Sequence, residues 1–209
     1  KKSTFLKPQT FCLRFFYTFK IKIMETIRCG WCTSSDLYKK YHDEEWGVPV
    51  YDDPTLFEFL ILETFQAGLS WITILNKREN FRNAFNHFDY KKIAHYSEEK
   101  IEELMQNTGI IRNKLKIKAA VSNAQAFIKI QDEFGSFSDY IWKFTNGKPI
   151  INHPKTSKDV PVTTPLSDEI SKDLKKRGFK FVGSTVVYAH MQATGMVNDH
   201  AEDCWKRTK

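Results

Sequence analysis

The sequence predicts an all-α fold, and three observations carry that prediction. Apolar residues recur at helical spacing over 55–67 and from 112 to 128, helix-start signatures precede several such stretches, and glycine and proline fall between them. Asp52, Asp53 and Pro54 open the first strong helix, carboxylates for the cap followed by proline in the first turn. Over 55–67 it sets Leu56, Leu60 and Thr64 on one line and Phe57, Ile61 and Phe65 on the next. Phe59 and Leu62 occupy other faces, so this helix is expected to be mostly buried, ending at Gly68. A charged, helix-permissive stretch follows over 71–87. Ser97 then caps a short helix with Glu98 and Glu99 at its positive end, closed by Gly109. The next helix starts near Arg112 and carries Ile117, Val121, Ala124 and Ile128 at helical spacing. Gly147, Pro149, Pro154, Pro161 and Pro165 make 146–165 a long surface loop. Thr164 and Pro165 start the final helix, amphipathic through Ile170 and Leu174 to Lys175, Lys176 and Arg177. No internal repeat is visible, and strand content is expected to be minor.

A chain of 209 residues with 41% hydrophobic residues fits one globular domain or two small lobes sharing a core. The formal charge of +7 suggests a polyanionic partner. Residues 1–23, however, contain Lys1, Lys2, Lys7, Arg14, Lys20 and Lys22 and no acid, which leaves +1 for the body. A nucleic-acid surface in the body must then come from local clustering of cations. The segment 1–23 lacks the unbroken apolar stretch and cleavage site of a secretory signal. Preceding Met24, it is expected to be a dispensable basic extension; organelle targeting is the alternative, against which stands its single Arg. No stretch approaches the ~18 consecutive apolar residues of a membrane span, so a cytoplasmic protein is expected.

Cys29, Cys32, His42, His200 and Cys204 form a candidate metal set. Cys29-x-x-Cys32 resembles half of a zinc site, and His200 with Cys204 at i, i+4 places two ligands on one face of a helical turn. One ion would tie the two ends of the body together. Tetrahedral zinc takes four ligands and five are present, so the residues alone leave the set open. A closed four-ligand site is structural rather than catalytic. Separate buried thiols are the bland alternative, and a redox pair lacks the βαβ surroundings such a motif needs.

Glu63 lies between Leu56 and Phe59 on the helix wheel, with no Lys or Arg within one turn to pair with it. A carboxylate there is solvated at the helix rim, paired with a remote cation, or held for a ligand, because burial without a partner is costly. The rim is the commoner case; the missing local cation tilts towards a pocket. Trp31, Tyr38, Tyr41, Trp46 and Trp71 cluster in sequence around this helix, as ordinary core or as a stacking cage.

Several ordered motifs carry a resemblance. Arg28-Cys29-Gly30-Trp31, then Tyr38 and the run from Tyr41 through His42, Asp43, Glu44, Glu45 and Trp46 to Pro49, resemble the opening of the type I DNA-3-methyladenine glycosylase family. So do Leu62-Glu63, the run Gln66-Ala67-Gly68-Leu69-Ser70-Trp71, Lys77-Arg78-Glu79, the stretch 174–183, and Val197-Asn198-Asp199-His200. The resemblance spans 25–204. It implies a helix–hairpin–helix glycosylase-type fold with the hairpin at 107–112, although Ile111 stands where many such hairpins carry a second glycine. It implies one structural zinc on Cys29, His42, His200 and Cys204, with Cys32 spare. Residues 24–53 and 184–209 would form the zinc-clipped lobe and 54–183 the helical domain. The implied activity is monofunctional excision of 3-methyladenine from double-stranded DNA by a monomer, after base flipping. Glu63 would recognise the base, Trp31, Tyr38, Tyr41 and Trp71 would wall the pocket, and Leu69 would enter the duplex. A non-catalytic zinc-stabilised DNA-binding module is the rival, and it has no need of Glu63.

Overall fold

In a computed structural model, residues 26–207 are described and form a helical body; the extension 1–23 lies outside the described residues. Among the described residues ten α-helices run in order: α1 (Asp36–Glu44), α2 (Asp53–Gln66), α3 (Trp71–Leu75), α4 (Arg78–Ala84), α5 (Tyr90–Ile93), α6 (Glu98–Gln106), α7 (Lys114–Phe134), α8 (Phe137–Trp142), α9 (Pro165–Lys176) and α10 (Ser184–Ala193). The described strands are β1 (Ile150–Ile151) and β2 (Val197–Asn198), paired in parallel with Ile150 opposite Val197.

α2 is the axle. Leu56, Phe57 and every residue from Phe59 to Phe65 are buried, so it has no solvent face along its middle. Asp52 caps it by accepting from Thr55 N–H (2.9 Å). Asp53 turns away and accepts from Phe137 N–H (2.9 Å) and Ser138 N–H (2.8 Å), capping α8 and joining two helix starts with one carboxylate. Around α2 the core is built on phenylalanine, with Phe57 edge-on to Phe127 and Phe127 stacked on Phe137 at 4.3 Å.

The cap signals read from sequence operate for α6, α7 and α9. Ser97 Oγ accepts from Lys100 N–H, Asn113 caps α7, and Thr164 with Ser167 forms a reciprocal capping box. The helix-permissive stretch 71–87 holds α3 and α4, and α4 is followed by a left-handed turn with φ of 51°, 53° and 57° at Asn86, His87 and Phe88. Three expectations need correction. α6 ends at Gln106, and Gly109 is not in the left-handed region. Its lack of a side chain serves close approach instead, since a Cβ would lie 2.9 Å from Asn107 Oδ1 and 3.2 Å from Asn80 Cβ. The segment 146–165 contains β1 and a short turn at Ser157–Asp159 with its own capping box. α9 is not the last helix. It stops at Gly178 (φ +96°), where Phe179 N–H bonds Leu174 C=O, and α10 follows. α10 has no side-chain cap, and it packs on α2 and α9 through Val187, Tyr188 and Met191. The tight turn after it needs Gly195 (φ +66°), where a Cβ would fall 2.3 Å from the Val48 carbonyl carbon.

Candidate active site and metal centre

α1 supplies two sites from one face. Ser35 caps it, accepting from Tyr38 N–H (3.2 Å), and the i, i+3, i+4 positions Tyr38, Tyr41 and His42 lie together. His42 turns into a cluster with Cys29, His200 and Cys204, all four buried, with ligand atoms within 4.8 Å of one another. His42 Nε2 is 3.4 Å from Cys204 Sγ. His200 Nδ1 is 3.5 Å from the same sulfur and 3.7 Å from Cys29 Sγ. A tetrahedral ion with metal–S near ~2.3 Å and metal–N near ~2.1 Å spaces such atoms about 3.4–3.8 Å apart. The donor set and its spacing fit a divalent metal.

The surrounding bonds orient both rings. His42 Nδ1 faces Asp43 Oδ1 at 2.8 Å and His200 Nε2 donates to Trp46 C=O at 3.2 Å, which leaves the other nitrogens free to ligate. Burial alone would raise the Asp43 carboxyl, but Arg28, His42 and Trp205 hold it at about 2, so it stays ionised beside His42. Burial pushes the Cys29 thiol up to about 12 and, with His42 nearby, lowers His200 to about 4. A cation in the cluster offsets that burial, because it favours thiolate and neutral imidazole. Cys32 is buried but turned aside, its thiol donating to Cys29 C=O at 3.1 Å.

The second site is a cavity of about 210 Å³. That is smaller than the ~300–1,000 Å³ typical of drug-sized ligands, and suits a single flat ring system. Trp31, Tyr38, Tyr41, Trp46 and Trp71 form its aromatic wall and Glu63 reaches into it. Trp31 stands edge-on to Tyr38 and to Trp46, each at 4.9 Å, while Tyr41 and Trp71 lie 5.4 Å apart. Glu63 is 4% exposed, and no side chain or backbone donor among the described residues bonds it. Burial pushes its carboxyl up to about 8, and the carboxylate in turn raises Tyr38 and Tyr41 beyond what burial does. Trp71 Nε1 is also buried without a partner.

Leu69 sits 38% exposed at the tip of the loop that leaves α2, outside the aromatic cavity. Gln66 Nε2 donates to its carbonyl, and Lys116 Nζ on α7 donates to Phe65 C=O (2.9 Å) and Ala67 C=O (2.8 Å). Lys116 thus closes the negative end of α2 and fixes the loop. Sequence reasoning missed it, because nothing local distinguishes it from the other α7 lysines. Also missed was the far wall of the cavity, where Ser157, Val160, Ala189, Gln192 and Asp199 come from the proline-rich loop, α10 and the segment after β2. Asp199 accepts from Tyr188, Gln192 and Asn152, each at 2.7 Å, and so locks that wall.

Between α6 and α7 the hairpin 107–112 is tied to the start of α4, with Lys77 Nζ donating to Thr108 C=O and Gly109 C=O. The Gly109 N–H is bound to Asn107 Oδ1 at 2.8 Å and so is not a free donor.

The family described as methyladenine glycosylase matches residues 31–207. DNA-3-methyladenine glycosylase 1 of Escherichia coli (strain K12) is 50% identical over 177 residues, covering 85% of this chain and 95% of the relative. A crystal structure of 3-methyladenine DNA glycosylase I, 50% identical, superposes with a TM-score of 0.85, covering 87% of this chain and all of that one. A point variant of 3-methyladenine DNA glycosylase I in complex with 3-methyladenine, 37% identical, gives 0.84 with 87% and 98% covered.

Proposed function

The chain belongs to the methyladenine glycosylase family, and on that footing we propose that it excises 3-methyladenine from alkylated double-stranded DNA. It hydrolyses the N-glycosidic bond after the nucleotide is flipped out, and it does not incise the strand. The observation that carries this reading is Glu63, a buried carboxylate with no protein partner, facing an aromatic cavity sized for one base. In duplex DNA, 3-methyladenine is cationic, so its departure is already activated. Aromatic faces favour a cation, and a carboxylate accepts from the adenine exocyclic amine. Burial pushes the Glu63 carboxyl up to about 8, and a cationic base beside it favours the ionised form. A guanine lesion would set its O6 acceptor against Glu63, acceptor against acceptor, and adenine is preferred.

Trp31, Tyr38, Tyr41 and Trp71 stack on the extruded base, and Leu69 fills the gap left in the duplex. Zinc in the Cys29, His42, His200 and Cys204 cluster is structural, because four protein ligands leave no open position for water. It joins 24–53 to 184–209 as one lobe against the helical domain 54–183. The enzyme works as a monomer in the cytoplasm; no helix among the described residues is long and apolar enough to cross a membrane. A glycosylase assay on methylated DNA, with released bases separated by chromatography, tests the reading. It is expected to release 3-methyladenine and little methylated guanine, with the strand intact. Intact methylated DNA after prolonged incubation would overturn it in favour of a DNA-binding module.

A further inference from the structure

The run Lys77-Arg78-Glu79 has no part in the function above, yet its arginine is only 9% exposed. A guanidinium that deep needs partners, and it has two. Arg78 opens α4; its Nε donates to Glu58 Oε1 on α2 and its Nη1 to Oε2 of Glu45, the C-cap of α1, each at 2.6 Å. The guanidinium also lies over the Phe59 ring, 5.1 Å from its centroid. One side chain thus fastens three helices. Among the described residues no other ion pair joins α1 or its cap to α2 or α4. Neighbouring Arg82 bonds the same Glu58, and Glu79 of its own helix, and has no ion pair with α1.

The fastened helices carry two sides of the base cavity. α1 brings Tyr38 and Tyr41, and α2 brings Glu63, one turn beyond Phe59 on the same face. Tyr41 is buried, its ring 6.4 Å from that of Phe59. It is a wall with a hollow on each side. In front is the base cavity; behind is a separate pocket of about 180 Å³ that Arg78, Glu45 and Leu75 also line. Arg78 and Glu45 therefore sit behind Tyr41, and neither lines the base cavity. With their bond cut, the rear pocket offers room into which the tyrosine can retreat from Glu63.

We propose that Arg78, paired with Glu45, is a positioning residue for base excision: it holds the end of α1 against α2 and so sets the distance between Tyr41 and Glu63. The inference rests on the glycosylase reading above. The cavity is then preformed for one flat base, and binding does not have to supply the cost of ordering it.

The test uses the full chain with three readouts: tryptophan fluorescence titrated with free 3-methyladenine, single-turnover excision, and Kd for a duplex holding an abasic-site analogue. Glu45→Ala frees α1 but leaves Arg78 paired with Glu58, so the protein should fold. Arg78→Lys keeps the charge but not the fork that spans two carboxylates. Both should weaken binding of the free base and slow excision by up to about 100-fold, the scale on which a ~1 Å misplacement acts. Duplex Kd and metal content should stay at the wild-type values, since Arg78 lines neither the cavity nor the metal cluster. Arg82→Gln removes a bond to the same Glu58 without touching α1; it should lower the melting temperature and keep base affinity. Folded Glu45→Ala and Arg78→Lys proteins with wild-type base affinity and rate would overturn the positioning role and leave the glycosylase reading intact. Base affinity that falls with melting temperature in all three variants would overturn it too, leaving Arg78 a general brace. A wild type that neither binds the base nor excises it would overturn both readings.

Discussion

Trp31 and Trp46 border two sites built on opposite polar logic. Towards His42 and His200 lies the four-residue cluster, where each ring has one nitrogen oriented by Asp43 or by the Trp46 carbonyl and the other aimed at the sulfurs. Towards Glu63 lies the cavity, where the 4% exposed carboxylate and the buried Trp71 indole N–H have no partner among the described residues. Both regions bury costly groups. In the first, a metal held by the four residues would absorb the cost; in the second, the cost is left standing until a ligand arrives. A saturated cluster stabilises a fold, and an unsatisfied one marks where a substrate completes it.

The sharpest way to break this comparison is to open the saturated side. Cys204→Ser should lose the metal and more than about 3 kcal/mol of stability, since a structural site contributes folding energy directly. Cys32→Ser should keep both, because that thiol faces a carbonyl. Elemental analysis beside thermal melts decides; equal metal loss in the two proteins would show the ligands are misassigned.

Next in size is the unsatisfied side. Glu63 ionises at about 8 in the fold against an ordinary carboxylate value near ~4.3 in the unfolded chain. The folded state therefore binds the extra proton between those values, and stability falls as pH rises through that window. Relative to Glu63→Gln, the wild type should lose up to about 1.4 kcal/mol per pH unit across it and level off above 8. Urea melts of both proteins at pH 5 and pH 8 measure the difference. A gap that does not move with pH would place the carboxylate in water.

Much of this arrangement was legible because its signals are local. Caps at Asp52, Ser97, Asn113 and Thr164 announce their helices through the side chains themselves. α10 gave no such signal: it starts without a side-chain cap, and its burial against α2 and α9 is set by remote packing. For Glu63 the helix wheel could not separate rim from pocket, because the wall opposite is supplied by Ser157, Val160, Gln192 and Asp199, more than ninety residues away. The spacing Cys29-x-x-Cys32 likewise could not say which thiol ligates. The short helical turn Gly30–Cys32 turns Cys32 towards the Cys29 carbonyl and away from the other three residues.

A smaller effect should come from Lys116, which holds the Leu69 loop at the end of α2. Lys116→Met leaves the Phe65 and Ala67 carbonyls unbonded, for a loss of about 1 kcal/mol. Excision from DNA should drop while free 3-methyladenine still binds. Equal losses in both would mean that Lys116 supports the cavity and not the loop.

The claim at the centre is that Glu63 is kept unsatisfied for the base, and single-turnover excision by Glu63→Gln on saturating 3-methyladenine DNA tests it most directly. The exchange keeps the size but puts an amide donor where the adenine amine needs an acceptor. The rate should fall by roughly 10- to 150-fold, the equivalent of ~1.5–3 kcal/mol for a hydrogen bond to a charged group. The melting temperature at neutral pH should hold or rise. A folded Glu63→Gln protein that excises at the wild-type rate would contradict the account.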